Sequence, residues 1–205
     1  MRRVVVLLSV LTGMTLGGTP LAAQTGFSFS VAIGYTGVSG EWGDILKDGI
    51  ESDITISYLW RHLRFGAGAY FVSYNLEAPL EDENISNVQL HGQVSYLFLT
   101  GQIRPYLQLR GVYQRLRPEG HAFDPAPADP DDPEGENPAP GRSGTGGVLV
   151  GGVEIVLTRN ITLDPNAWYG TFKTDDVDLT EFGGPVISEG QAWGIRLGIT
   201  WYPER

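Results

Sequence analysis

The sequence predicts an all-β fold, an eight-stranded antiparallel up-and-down transmembrane β-barrel, on three observations. The first is the closing stretch 190–202, where Trp193, Ile195, Leu197, Ile199 and Trp201 alternate with Gly194, Arg196, Gly198 and Thr200. Period-two alternation marks a strand with one apolar and one polar face. A chain that ends on such a strand has an edge to hide, and barrel closure abolishes it. The second is that seven earlier segments carry the same pattern. The third is that the connections between them alternate short and long, as in outer-membrane barrels.

The first 23 residues form a secretory signal peptide. Met1, Arg2 and Arg3 are a basic start, 4–14 is an apolar core, and Ala22 and Ala23 offer small residues for cleavage after Ala23. The apolar run is too short to span a bilayer and breaks at Gly17, Gly18 and Pro20. Residues 24–205 are then one barrel domain exported to the cell outer membrane.

Strand one sets Phe27, Phe29, Val31, Ile33 and Tyr35 against Ser28, Ser30, Ala32, Gly34 and Thr36. Strand two sets Ile54, Ile56, Tyr58 and Trp60 against Asp53, Thr55 and Ser57. Strand three, 64–74, has Phe65, Ala67, Ala69 and Phe71 opposite Gly66, Gly68 and Tyr70, and its irregular continuation 72–76 suggests a bulge. Strand four opposes Val88, Leu90, Val94, Tyr96 and Phe98 to Gln89, His91, Gln93 and Ser95. Strand five opposes Leu107, Leu109 and Tyr113 to Tyr106, Gln108, Arg110 and Gln114. Strand six, 147–157, sets Leu149, Val153, Ile155 and Leu157 against Gly152 and Glu154. Strand seven, 161–172, is the weakest, because Pro165 lies inside it. The closing stretch is strand eight. An interior of this size is just wide enough for side chains to fill.

The short connections are 61–63, 100–102 and 158–160, and the long ones about 37–49, 75–86, 118–145 and 173–190. Arg61, Arg64, Arg104 and Arg159 gather at the short, periplasmic end. The long outer loops hold most acids, among them Glu41, Asp44, Asp48, Glu77, Glu81, Asp82, Glu83, Asp175, Asp176, Asp178, Glu181 and Glu189. Aromatic residues collect near both ends, with Phe27, Phe29, Trp60, Phe65, Phe98 and Trp201 at the periplasmic rim and Tyr35, Tyr113 and Trp193 at the outer one. Interfacial girdles and the β propensity of aromatic residues both favour this placement.

Composition agrees. A hydrophobic content of 41% suits a barrel, which needs apolar residues only at alternate positions, and excludes a helical membrane bundle. The 28 glycines fit crowded inner faces and turns. The absence of cysteine excludes a disulfide scaffold and Cys-ligated metal. A net charge of -10 argues against nucleic acid as a partner.

The segments 104–113 (RPYLQLRGVY) and 151–163 (GGVEIVLTRNITL), with the closing strand, resemble the eight-stranded outer-membrane barrels of the OmpA/OmpX/opacity-protein type. The resemblance covers the whole mature chain and implies a monomer inserted by the barrel assembly machinery. The chain departs from that pattern at Trp201-Tyr202-Pro203-Glu204-Arg205, where many relatives stop on an aromatic residue. It also has no peptidoglycan-binding domain after the barrel, so no cell-wall tether is implied.

Arg110, Glu154 and Arg196 fall on polar faces at about mid-depth, with Gln93, Gln108 and His91 nearby. An arginine facing lipid at the midplane costs ~2–4 kcal/mol, so these groups are expected to face the lumen. There they need partners, and a luminal network of ion pairs and amides that plugs the barrel is expected. The alternative is a selectivity ring around a narrow pore. In the third loop, Asp129, Asp131, Asp132, Glu134 and Glu136 stand among prolines, in a composition that cannot bury a core and reads as an extended solvated loop. Their spacing matches no EF-hand, but they are the candidate ligands for Ca²⁺ or Mg²⁺, which would bridge to lipopolysaccharide phosphates.

Some eight-stranded barrels modify lipid A, which requires a histidine, a nucleophilic serine and an orienting acid within reach. His62 falls in a turn, His91 on a strand and His121 in the third loop, and only Ser86 and Ser95 lie near His91 in sequence. No catalytic residue, cofactor or metal centre is expected. A soluble lipocalin-type barrel would turn the apolar face inward, and the loop asymmetry argues against it. The function expected first is a structural or surface-interaction role through acidic extracellular loops, in contact with outer-membrane lipid and an extracellular ligand. A small passive pore for small solutes comes second, and a lipid A-modifying enzyme third.

Overall fold

The structure, a computed structural model, describes residues 25–44, 46–76, 84–119, 142–178 and 186–203. The leader 1–23, the acids Glu77, Glu81, Asp82, Glu83 and Glu181, and the candidate cation ligands Asp129, Asp131, Asp132, Glu134 and Glu136 lie outside them.

Eight strands follow one another as β1 (Gly26–Ser39), β2 (Leu46–Trp60), β3 (Leu63–Leu76), β4 (Asn84–Leu97), β5 (Ile103–Glu119), β6 (Arg142–Val156), β7 (Ile161–Asp178) and β8 (Val186–Trp201). Among the described residues a five-residue 3-10 segment, Gly40–Asp44, follows β1. Each strand pairs antiparallel with its chain neighbour, and β8 closes onto β1 from Phe29↔Trp201 to Ser39↔Gln191. Closure leaves no free edge, as the alternation in the final stretch predicts. The fold is therefore a closed eight-stranded antiparallel transmembrane barrel, with Trp193, Ile195, Leu197, Ile199 and Trp201 outward and Arg196 and Thr200 buried inside. Trp193 to Trp201 gives nine residues of outward apolar strand, within the roughly 9–11 that a tilted strand needs to cross a bilayer.

The strands run further toward the long-loop end than periodicity suggests, and there the two faces exchange character. Val72, Tyr74, Ile85, Leu116 and Phe172 point inward and are buried, while Ser73, Asn75, Arg115, Lys173 and Glu189 point outward. An outside that turns polar over an inside that turns apolar is the pattern of a barrel wall in water. The last outward aromatics before this exchange are Tyr35, Phe71, Tyr113, Tyr169 and Trp193. At the short-turn end Phe27, Phe29, Tyr58, Trp60, Phe65, Tyr96, Phe98 and Trp201 are outward.

Two local expectations change. The irregularity expected at 72–76 of β3 belongs to β2, where three steps from Leu46 to Gly49 face two from Leu76 to Tyr74. That is one extra residue on β2, a bulge, and the odd pattern in β3 comes instead from the exchange of faces. Pro165 does not end β7, which is the longest strand at 18 residues. It pairs with Leu197 of β8, while on its other side the β6 ladder passes from Gly152↔Asn166 to Ile155↔Leu163 with no pairing between. Proline lacks the N–H for one ladder only, so the strand survives on the other.

Candidate functional site

The lumen holds two polar clusters at different depths. The one nearer the long-loop end centres on Asp53 of β2. Its carboxylate accepts hydrogen bonds from Arg110 of β5 and from Arg196 Nη1 of β8, the latter at 2.8 Å. Side-chain exposure is 5% for Asp53, 10% for Arg110 and 2% for Arg196, so charge attraction acts with little screening by water. Glu51, one inward step above on β2, lies 3.5 Å from Arg196 Nε and accepts from Trp168 Nε1 at 3.0 Å and Tyr70 OH at 2.6 Å. Thr36 completes its shell. Alternation puts Glu51, Asp53 and Thr55 on one inner file, which is why one strand supplies both carboxylates.

The second cluster lies at the short-turn end. Arg64 of β3 is ion-paired with Glu154 of β6, and both are buried. Tyr202 OH donates to Glu154 at 3.1 Å, the Arg64 guanidinium lies 5.1 Å from the Tyr106 ring centre, and Tyr106 OH donates to Asp164 at 2.8 Å. Among the described residues, the inward carboxylates Glu51, Asp53, Glu154 and Asp164 match the inward guanidiniums Arg64, Arg104, Arg110 and Arg196 one for one. These eight groups are formally neutral together, in a chain of net charge -10.

Of the six luminal residues read from sequence, all face inward, but they form more than one group. Arg110 and Arg196 meet on Asp53. Glu154 does not join them. It pairs in register with Arg104, next to the start of β5, so it sits at the short-turn end and not at mid-depth. The expected mid-depth does not hold, because Glu154 is only two residues from the end of β6 at Val156, beside a short turn. Gln108 lies between Gln93 and Ser95, at 2.9 and 3.0 Å. His91 Nε2 lies 3.3 Å from Thr55 Oγ1, which itself donates to Asp53 at 2.7 Å. Arg64 and Arg104 lie at the short-turn end. Both are buried, whereas Arg61 and Arg159 are exposed. Sequence reasoning missed Glu51, Asp53, Arg64 and Asp164 as members. Their inward parity was available, but their partners depend on stagger.

A cavity of about 10 Å³ lies among Tyr70, His91, Arg110, Trp168 and Arg196, room for roughly one water. Ser95 faces inward and is bonded to Gln108, while Ser86 lies on the opposite face of β4 from His91, so neither serine makes a nucleophile–base pair with it.

At the long-loop end, Trp42 of the 3-10 segment turns into the barrel mouth. It is 1% exposed and stacks on Phe172 with ring centres 5.3 Å apart and planes 7° from parallel. The Glu41 carboxylate accepts from the backbone N–H groups of Ser188 and Glu189, each at 3.2 Å. Those two amides hold its pKa below the ordinary carboxylate value. Trp42, Leu46, Tyr74, Ile85, Leu116 and Phe172 belong to the buried apolar cluster above the ion pairs.

These features define the chain as an outer-membrane-type barrel with an apolar outer wall and charged side chains facing inward. No family model matches the chain, and no curated protein does either. Its fold is similar to that of Neisserial surface protein A, at 16% identity over 86% of this chain and 96% of that one, with a TM-score of 0.60. Two Pseudomonas aeruginosa outer-membrane proteins also align. OprG does so at 12% identity over 87% and 97% of the two chains, with a TM-score of 0.49. The N-terminal β-barrel domain of OprF does so at 11% over 87% and 98%, with a TM-score of 0.46.

Proposed function

We propose that the protein is a closed outer-membrane barrel with a structural or surface-interaction role, and that it does not conduct solutes. The leader at 1–23 directs export and is cleaved, the long-loop end faces outward, and the acidic loops meet lipopolysaccharide, divalent cations or an extracellular ligand. The observation that supports this reading is the Asp53 bridge. One carboxylate binds guanidiniums from β5 and β8, and Glu51, Tyr70 and Trp168 pack beside it, so side chains occupy the cross-section where a pore would run. Opening a path there would separate buried charges, at a cost of about 3–5 kcal/mol for breaking one pair.

The porin-like alternative rests on the same charged residues lining a narrow hole. Liposome swelling distinguishes the two. Protein refolded in detergent, with its heat-modifiable gel shift checked, is reconstituted and challenged with arabinose. Swelling no faster than that of empty liposomes supports the closed barrel, and a protein-dependent rate makes the lumen a pore.

A further inference from the structure

We propose that the long-loop mouth of the barrel is a binding slot for a planar aromatic ring that carries no hydrogen-bond donor, and that the chain's own Trp42 fills it in this structure. Phe172 forms one wall, parallel to the Trp42 ring at 5.3 Å. Gly190 lies against that ring so closely that a Cβ there would come within 2.1 Å of it. Gly190 pairs with Phe172 across the β7–β8 ladder, so only the missing side chain there leaves room for a ring on the inner face of β8 beside Phe172. Leu46 and Tyr74 belong to the same buried cluster.

The slot suits its occupant in shape and not in polarity. Trp42 Nε1 is buried and has no hydrogen-bond partner among the described residues. A buried indole N–H normally finds an acceptor, so the walls around it are built for an apolar ring. A ring without the N–H would lose nothing on entering.

The occupant is also held in a way that permits exchange. Trp42 rides on a five-residue segment outside the strand ladders. Gly40 starts that segment at φ 68°, a left-handed turn that directs the chain into the mouth. Its polar anchor is the exposed Glu41 carboxylate on two amides of β8, where water competes. The proposal does not rest on whether the barrel conducts.

The test uses the full chain in lipid nanodiscs and naphthalene-2-sulfonate, a water-soluble apolar ring, with binding measured by calorimetry. Trp42→Ala empties the slot and is expected to bind the probe about ten-fold or more tighter than the parent chain. Adding Gly190→Val to Trp42→Ala refills the slot and removes the gain. No gain in Trp42→Ala, or a gain that survives Gly190→Val, overturns the proposal. If Trp42→Ala loses its heat-modifiable gel shift, Glu41→Gln is read instead. It keeps Trp42, weakens a charge-assisted anchor, and is expected to give a smaller but measurable gain. Unchanged affinity in Glu41→Gln then overturns the proposal.

Discussion

Arg196 of β8 donates to the Asp53 carboxylate of β2 at 2.8 Å, and the two strands are not neighbours in the sheet, since β1 lies between them. The bond therefore ties the wall across the lumen and not along a ladder. Arg110 reaches the same carboxylate from β5, on the other side of the barrel.

Asp53→Ala removes the shared acceptor and leaves two buried guanidiniums facing each other. A loss of about 3–5 kcal/mol in unfolding free energy is expected. Urea titration of the refolded barrel, followed by the gel shift of the folded form, reads it directly. A change under about 1 kcal/mol would mean that the arginines find other partners or water.

Arg64 and Glu154 permit a cleaner separation of desolvation from attraction. Arg64→Met and Glu154→Leu are each expected to destabilise by about 3–5 kcal/mol, because each leaves one buried charge alone. The double variant is expected to cost less than the sum by more than about 1 kcal/mol. Additive losses in a double-mutant cycle would contradict the pairing.

Much of this architecture is legible in the sequence, and the failures have physical reasons. Alternation identified every strand, because each bilayer-crossing segment must be apolar outside whatever its partners are. It faltered at Val72 and Tyr74 because the wall there stands in water and its apolar face turns inward. Arg110 and Arg196 were legible as luminal groups from the cost of facing lipid. Their common partner Asp53 was not, since the contact depends on how far the strands slide past one another. Arg64 was legible as a charge at the short-turn end, but its partner Glu154 was not, since that contact runs across the lumen. Trp42 carried no signal, as a loop position has no period to read.

The glycines divide into two kinds with opposite expected behaviour. At Gly34 a Cβ would lie 2.4 Å from the Ile195 carbonyl and 2.7 Å from the Glu51 carboxylate. Gly34→Ala is expected to destabilise by about 1–3 kcal/mol through overpacking. At the outward Gly111 a Cβ meets nothing within 4 Å, and Gly111→Ala should stay within about 0.5 kcal/mol. Urea midpoints of the two variants, measured side by side, check the inward–outward assignment.

Glu41 supplies a pH dependence whose sign is fixed. Its folded pKa lies below the ordinary value because the Ser188 and Glu189 amides stabilise the carboxylate. The anchor's contribution is therefore complete above the ordinary glutamate pKa and is lost as the pH falls through the lowered folded value. Acidification is expected to release Trp42 and shift tryptophan emission toward that of an exposed indole. Glu41→Gln should remove that acid transition, and an unchanged transition in the variant would assign it to another group.

The closed lumen is the central claim, and single-channel recording in a planar bilayer tests it most directly. Protein that shows the folded gel shift and inserts should carry no steady current steps, because Asp53, Arg110 and Arg196 meet across the path. Long-lived, ion-selective steps from that same folded protein would contradict the account and turn those three residues into the lining of a pore.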